Sequence, residues 1–152
     1  MLMFRTRKPV GQETSGAVAI EFGFAAPILA ILLVGVAEVG YSAYQAMQVQ
    51  YSVEAGALYA AKNGWNSGAI TAAVLNATGI AGMAASHPPA QFCGCPTASG
   101  VSQLPCTSTS SDGNRPGQYV QINASLARQS LIPGSGLPVP TTFTAQSIIR
   151  LN

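Results

Sequence analysis

Residues 17–37 read AVAIEFGFAAPILAILLVGVA, and this stretch decides the fold of the chain. It contains 21 residues and a single ionisable side chain, Glu21. At a rise of about 1.5 Å per residue the stretch forms about 31 Å of helix, which matches the hydrocarbon core of a bilayer. The stretch therefore predicts one transmembrane helix.

The charges on either side of this helix predict its orientation. Arg5, Arg7 and Lys8 precede it, and no basic residue follows it until Lys62. Because Lys and Arg are retained on the cytoplasmic side of membranes, we expect residues 1–16 in the cytoplasm and the rest of the chain outside it.

The composition excludes two classes of protein. Charged residues make up 8% of the 152 residues and hydrophobic residues 48%, a balance opposite to that of disordered chains. The formal net charge is +2, and no stripe of basic and aromatic residues occurs, so a nucleic-acid partner is not expected.

The helical pattern continues beyond the apolar stretch to about Lys62 and ends at Asn63-Gly64. Pro27 is expected to kink this helix. One stripe recurs at intervals of three and four, and we expect the distal domain or neighbouring subunits to pack on it. Its members are Tyr44, Met47, Tyr51, Ala55, Leu58 and Lys62.

The remaining residues predict a small α+β domain. Residues 66–78 indicate a short helix that is capped by Asn66 or Ser67 and ends at Gly79. Residues 79–116 predict a long loop region with room for two short strands. Residues 119–123 and 143–148 alternate like strands, and we expect them to pair in an antiparallel sheet. The predicted parts are a leader (1–16), a transmembrane helix (17–38), its extramembrane continuation (39–64) and the distal domain (65–152).

Three cysteines, Cys93, Cys95 and Cys106, follow the membrane segment. In the predicted orientation they face an oxidising compartment, in which disulfides persist. Cys93 and Cys95 are too close in sequence to bridge easily, so we expect Cys106 to pair with one of them. One thiol is then left over. A zinc site would need four ligands, and His87 has no partner at a suitable spacing, so no metal and no cofactor are predicted.

An enzyme is not expected from this sequence. The single histidine, His87, precedes two prolines, and Asp112 lies in a predicted turn. No group of nucleophile, base and orienting residue is evident, and no phosphate-binding glycine loop occurs.

The charged residue of the apolar stretch, Glu21, needs compensation. A carboxylate in a membrane helix costs about 2.5–3.5 kcal/mol at the centre and less near the interface. In one interpretation Glu21 stays hydrated near the headgroups. In the other a peptidase cuts after Gly16, and the new amine of Ala17 then lies one helical turn from Glu21.

The second interpretation agrees with a family resemblance. The chain resembles the TadE-like minor pilins and pseudopilins of tight-adherence (Tad) pilus systems, a branch of the type IV pilin-like proteins. The matching elements are GAVAIEF at 16–22, Pro27, EVGY at 38–41 and EAGALYAA at 54–61. Two positions depart from the family pattern. Members often have Arg where Leu58 stands, and Tad major pilins usually have Tyr where Phe22 stands, which favours a minor pilin.

The resemblance implies a processing and assembly pathway. A prepilin peptidase of the aspartic type would remove residues 1–16, and Glu21 would pair with the Ala17 amine of an adjacent subunit. The implied partners are that peptidase, other pilins and minor pilins, the inner-membrane assembly platform and the lipid bilayer. The implied location is the inner membrane, with the distal domain periplasmic or extracellular, or in an adhesive surface filament. Glu38, at the outer end of the apolar run, is expected in the headgroup region.

Two other functions remain open at this point. Gly35-Val36-Ala37 is an acceptable signal-peptidase site, so cleavage after Ala37 would release a secreted soluble protein. Without any cleavage the chain would be a plain single-pass membrane-anchored protein.

Overall fold

The computed structural model describes residues 14–110, 113–133 and 139–151, without the side chains of residues 14, 15 and 17. The architecture is α+β, as the sequence predicts. Two helices come first, α1 (Thr14–Asn63) and α2 (Ser67–Asn76), and five strands follow. These are β1 (Met83–Ala84), β2 (Ala90–Thr97), β3 (Gly100–Gln103), β4 (Gly117–Ala127) and β5 (Thr142–Arg150).

The ends of α1 follow from local chemistry. The helix ends at Asn63 because Gly64 adopts a left-handed φ of 76° and its N–H donates to the Ala60 carbonyl at 2.9 Å. The predicted end is therefore confirmed. The described part of α1 already includes Thr14, three residues before the predicted start at Ala17, because a single glycine such as Gly16 costs a helix only about 1 kcal/mol. Helical residues continue through Pro27.

The short helix α2 is capped as expected and ends sooner than expected. The Asn66 side chain accepts a hydrogen bond from the Ala69 N–H at 3.0 Å. The predicted end at Gly79 is wrong, because α2 ends at Asn76 and the Ile80 N–H donates to the Thr78 carbonyl at 2.6 Å. This tight turn redirects the chain toward the sheet.

The sheet is antiparallel, and β4 lies at its centre. Along one edge β4 pairs with β5, from Tyr119 opposite Arg150 to Ala127 opposite Thr142. Along the other edge it pairs with β1 and β2, and β3 pairs with β2. The predicted strands at 119–123 and 143–148 are confirmed, and both are longer than predicted.

The prediction for residues 79–116 underestimated their order. Three strands lie there, and Cys93 and Cys95 belong to β2 rather than to a loop. Cys93, Gly94 and Cys95 are all buried in succession, so β2 has no alternating pattern that sequence analysis could detect. Pairing with β4 and β3 holds this strand in place.

The hydrophobic core joins the outer half of α1, α2 and the inner face of β4. Its buried residues are Val49, Val53, Ala57, Ala60, Ile70, Val74, Val120, Ile122, Ala124 and Leu126. Gly56 allows the close approach of these elements, because a Cβ there would lie 2.6 Å from Val74 Cγ2 and 3.3 Å from Ile122 Cγ2.

The core face of α1 is not the stripe that the sequence analysis selected. Tyr44, Met47, Tyr51 and Leu58 are 45% to 67% exposed. The expectation that the distal domain rests on this stripe is therefore wrong. The sheet packs instead on the smaller residues Val49, Val53, Ala57 and Ala60, which allow closer contact.

The chain divides into two compact units, Met1–Val39 and Gly40–Asn152. The buried core, strands β1 to β5 and α2 all belong to the second unit.

Candidate functional site

The inner half of α1 is an exposed apolar surface. Large hydrophobic side chains from Val18 to Val36 are between 40% and 75% exposed. The most apolar 18-residue window of this helix has a mean hydropathy of 2.2, and none of that window is buried. Its length and composition are compatible with a single-pass membrane anchor.

The predicted processing and register residues lie in the first turns of this surface. Gly16 is exposed, and a Cβ at its position would meet nothing within 4 Å. Glu21 is exposed, and Phe22 is 68% exposed. Ala17 lies on the same helix, so its backbone nitrogen is about one turn from the Glu21 position. The carboxylate and the Phe22 ring are therefore both available to a neighbouring molecule.

Pro27 also lies in this exposed part of α1. Proline has no N–H, so the carbonyl of Gly23, one turn earlier, loses its ordinary helical donor. Pro27 therefore marks the place where α1 has one fewer internal hydrogen bond.

Glu38 differs from the sequence expectation. A carboxylate among headgroups would be open to water, whereas the Glu38 side chain is 1% exposed. The burial of Glu38 has no sequence signal, because tertiary packing decides the burial of a charged side chain and the local pattern at Glu38 is only that of the end of an apolar run.

The cysteines resolve the pairing that the sequence left open. Cys93 and Cys106 form a disulfide with a Cα–Cα distance of 5.2 Å, which confirms that Cys106 pairs with one of the two earlier cysteines. The Leu104 N–H also donates to the Cys93 carbonyl at 2.9 Å. Cys95 carries a free thiol and is 6% exposed. The bridge ties the segment after β3 to strand β2.

Gln45 is a residue whose role the sequence analysis missed. It is not a member of the stripe predicted from the sequence, and it is fully buried. Its side-chain Nε2 donates to the Gln129 carbonyl at 2.7 Å, and its Oε1 accepts from the Gln129 N–H at 3.0 Å. This pair of hydrogen bonds joins α1 to the segment between β4 and β5. Glutamine is common on helix surfaces, so no sequence signal pointed to this contact.

Metal-binding chemistry has no assembled site in the described part of the chain. Among residues 14–110, 113–133 and 139–151, no group of three or more His, Cys, Asp or Glu side chains could hold an ion. His87 lies exposed in a bend between β1 and β2, as a loop residue would.

A family comparison concerns the segment that contains the predicted processing and register residues. The model of the family described as TadE-like protein matches residues 16–58. The chain is similar to this family over these residues, which we call the TadE-like segment. No curated protein and no solved structure matches the chain.

The TadE-like segment begins at the predicted processing residue, Gly16, and includes Glu21, Phe22 and Pro27. It ends at Leu58, within the part of α1 that packs on the sheet. Strands β1 to β5 and helix α2 lie outside the TadE-like segment.

Proposed function

We propose that this protein is a minor pilin or pseudopilin that supports assembly of a Tad-type adhesive pilus. The observation that carries the proposal is the TadE-like match, which begins at Gly16 on an exposed apolar helix. In this function a prepilin peptidase cuts between Gly16 and Ala17 at the cytoplasmic face of the inner membrane. The mature chain stays anchored by α1 until it enters the assembly.

The exposure of α1 supports a structural role in an assembly of helices. Its inner half exposes large apolar side chains, and its outer half exposes the stripe of Tyr44, Met47, Tyr51 and Leu58. Neighbouring pilins and minor pilins are the proposed partners of these surfaces. In this proposal the peptidase carries out the cleavage, and the other pilins and the assembly platform build the filament. We propose no enzymatic activity, metal or cofactor for the chain itself.

The Glu21 carboxylate supports a specific contact within this proposal. It is exposed, so in a single chain its charge lies on the surface among exposed apolar side chains. Pairing with the Ala17 amine of an adjacent subunit offsets the cost of both charges in apolar surroundings. A misaligned subunit would leave both charges unpaired, and the pair therefore sets the axial register.

Cleavage is tested by the amino-terminal sequence and mass of the protein recovered from its native membrane. We expect the wild-type chain to begin at Ala17. Gly16→Val should retain the leader, because the bulky side chain fills the position next to the cut bond. Gly11→Val is the matched control, since it makes the same change within the leader and should be processed normally.

Two results would contradict the proposal. A wild-type chain that begins at Glu38 would be a secreted soluble protein released by signal peptidase, although Ala37 lies in the middle of continuous helix. A wild-type chain that begins at Met1 would be a plain membrane anchor.

A further inference from the structure

A cavity of about 280 Å³ lies in the distal domain, and none of the described residues that line it belongs to the TadE-like segment. Strands β2, β4 and β5 line it together with the segment before β4. Its two charged lining residues are Arg115 and Arg150, and the polar residues Ser110, Asn114 and Tyr119 also line it. No acidic residue is among the described residues that line this cavity; Asp112, between Ser110 and Asn114 in the sequence, lies outside the described residues.

The fold brings the two arginines together from distant parts of the chain. Arg150 is fixed by the β4–β5 register, where it lies opposite Tyr119, and the next N–H, that of Leu151, donates to the Gln118 carbonyl at 2.9 Å. Arg115 lies two residues before the start of β4. The sheet register therefore sets the position of Arg150, and Arg115 leads directly into β4.

Hydrogen bonds between described residues hold the other side of the cavity. The Ser110 N–H donates to the Asn114 carbonyl, and the Gly113 N–H donates to the Ser110 carbonyl, both at 2.9 Å. The Cys93–Cys106 disulfide ties the segment that leads to Ser110 to strand β2. These contacts fix Ser110 and Asn114 relative to each other, which lowers the entropy cost of binding a ligand between them and the arginines.

Gly117 gives the Arg150 guanidinium its room. A Cβ at Gly117 would lie 2.9 Å from Arg150 Nε and 3.4 Å from Arg150 Cζ. Its backbone does not have the positive φ that favours glycine, so the turn itself does not require glycine here. The absent side chain is needed because the guanidinium lies against the backbone of β4.

The charge of the distal domain is one-sided. After Glu54 the sequence contains three arginines (Arg115, Arg128 and Arg150) and one acidic residue, Asp112. The three described glutamates, Glu21, Glu38 and Glu54, all lie on α1. Two of the three arginines share the cavity, and guanidinium groups bind carboxylate, phosphate and sulfate oxygens through paired N–H donors.

We propose that this cavity binds an oxyanion, with Arg115 and Arg150 as the charged donors and Ser110 and Asn114 as neutral donors. The ligand class is a carboxylate, phosphate or sulfate group, either free or carried on a larger acidic polymer. The site is independent of cleavage after Gly16 and of pilus assembly, so it stands or falls separately from the proposed function.

The test uses the full chain in an uncharged detergent and measures binding of inorganic phosphate by calorimetric titration. The ionic strength is held with sodium chloride at about 0.15 M, where charges more than about 8 Å apart are screened. We expect saturable binding to one site. Arg115→Gln and Arg150→Gln should each weaken it about tenfold, because each removes charge-assisted hydrogen bonds.

Two further variants separate this site from general charge effects. Lys62→Gln makes the same charge change on exposed α1 and should leave phosphate binding unchanged. Gly117→Ala keeps every charge and should weaken binding, because the added Cβ displaces the Arg150 guanidinium. Far-UV circular dichroism and the intact disulfide mass show that each variant is folded.

Competition identifies the source of the oxyanion. Displacement of phosphate by polygalacturonate at a carboxylate concentration where acetate has no effect indicates a group carried on a polymer. Displacement by acetate or sulfate alone indicates a free anion. The proposal is overturned if wild-type protein shows no saturable binding of any of these anions, or if both arginine variants bind as tightly as Lys62→Gln.

Discussion

At the scale of single residues, Glu21 is the charge that the rest of the helix does least to accommodate. It lies exposed among large apolar side chains, with Ile20 64% and Phe22 68% exposed. A charge in apolar surroundings is stable only when it is hydrated or paired. Whether Glu21 stabilises or destabilises the protein therefore depends on the neighbour that it meets in the assembled state.

We predict that Glu21→Gln leaves cleavage after Gly16 largely intact and lowers incorporation into the filament about tenfold or more, because the Ala17 amine then stays unpaired. Amino-terminal sequencing measures cleavage, and immunoblotting of sheared filaments measures incorporation. Glu54→Gln, an exposed glutamate on the same helix, is the control and should assemble normally. Wild-type incorporation of Glu21→Gln would count against the pairing role.

Gly56 is the residue that decides how closely the core elements approach. We predict that Gly56→Ala lowers the free energy of unfolding by about 1–2 kcal/mol, since overpacking costs more than the helix propensity of alanine returns. Thermal unfolding followed by circular dichroism measures this. Gly40→Ala on the same helix meets nothing within 4 Å and should be neutral or stabilising. Equal stability of the two variants would show that Val74 and Ile122 yield without cost.

At the scale of elements, helix α1 carries two different surfaces along its outer half. Small residues face the sheet, while Tyr44, Met47, Tyr51 and Leu58 remain 45% to 67% exposed. The small residues on the inner face allow close contact between helix and sheet. The large residues on the outer face leave aromatic and thioether groups for intermolecular packing.

The disulfide is the second feature at this scale, because it ties the segment after β3 to strand β2. The two cysteines are 13 residues apart, and closing a loop of this size stabilises by about 2–4 kcal/mol. We predict that Cys106→Ser lowers the free energy of unfolding by that amount and increases protease sensitivity. Urea unfolding and limited proteolysis measure the two effects.

Cys95→Ala is the matched control for the disulfide, because it removes a cysteine of the same strand and leaves the bridge intact. Its loss of stability should be smaller than that of Cys106→Ser. Unchanged protease resistance in Cys106→Ser would mean that the bridge is incidental to the fold.

At the scale of the whole molecule, every described residue of the buried hydrophobic core belongs to the unit Gly40–Asn152. None of the described residues of the unit Met1–Val39 is a member of that core. The hydrophobic core that stabilises the sheet is therefore built from the second unit.

We predict that a chain beginning at Gly40 folds as a soluble domain with the native disulfide. A chain beginning at Gly64 should not fold, because it lacks Val49, Val53, Ala57 and Ala60, which cover the inner face of the sheet. Circular dichroism, limited proteolysis and gel filtration compare the two. Aggregation of the longer chain, or a stable fold of the shorter one, would contradict this division.

The sequence by itself determined the elements whose signals are local. The end of α1 at Gly64, the cap at Asn66 and the alternating residues of β4 and β5 each depend on neighbours within a few positions. The apolar stretch and the motif from Gly16 onward also predicted the similarity to the TadE-like family over residues 16–58, because both are contained in one continuous helix.

Only the tertiary structure decided which face of α1 meets the sheet, which cysteine pairs with Cys106 and where Glu38 and Gln45 lie. These outcomes depend on contacts between distant parts of the chain. Gln45, for example, meets Gln129 across 84 positions, and the β4–β5 register places Arg150 opposite Tyr119. A periodic pattern shows that a helix has an apolar face, but packing density decides which face is used, and small residues allow closer packing than large ones.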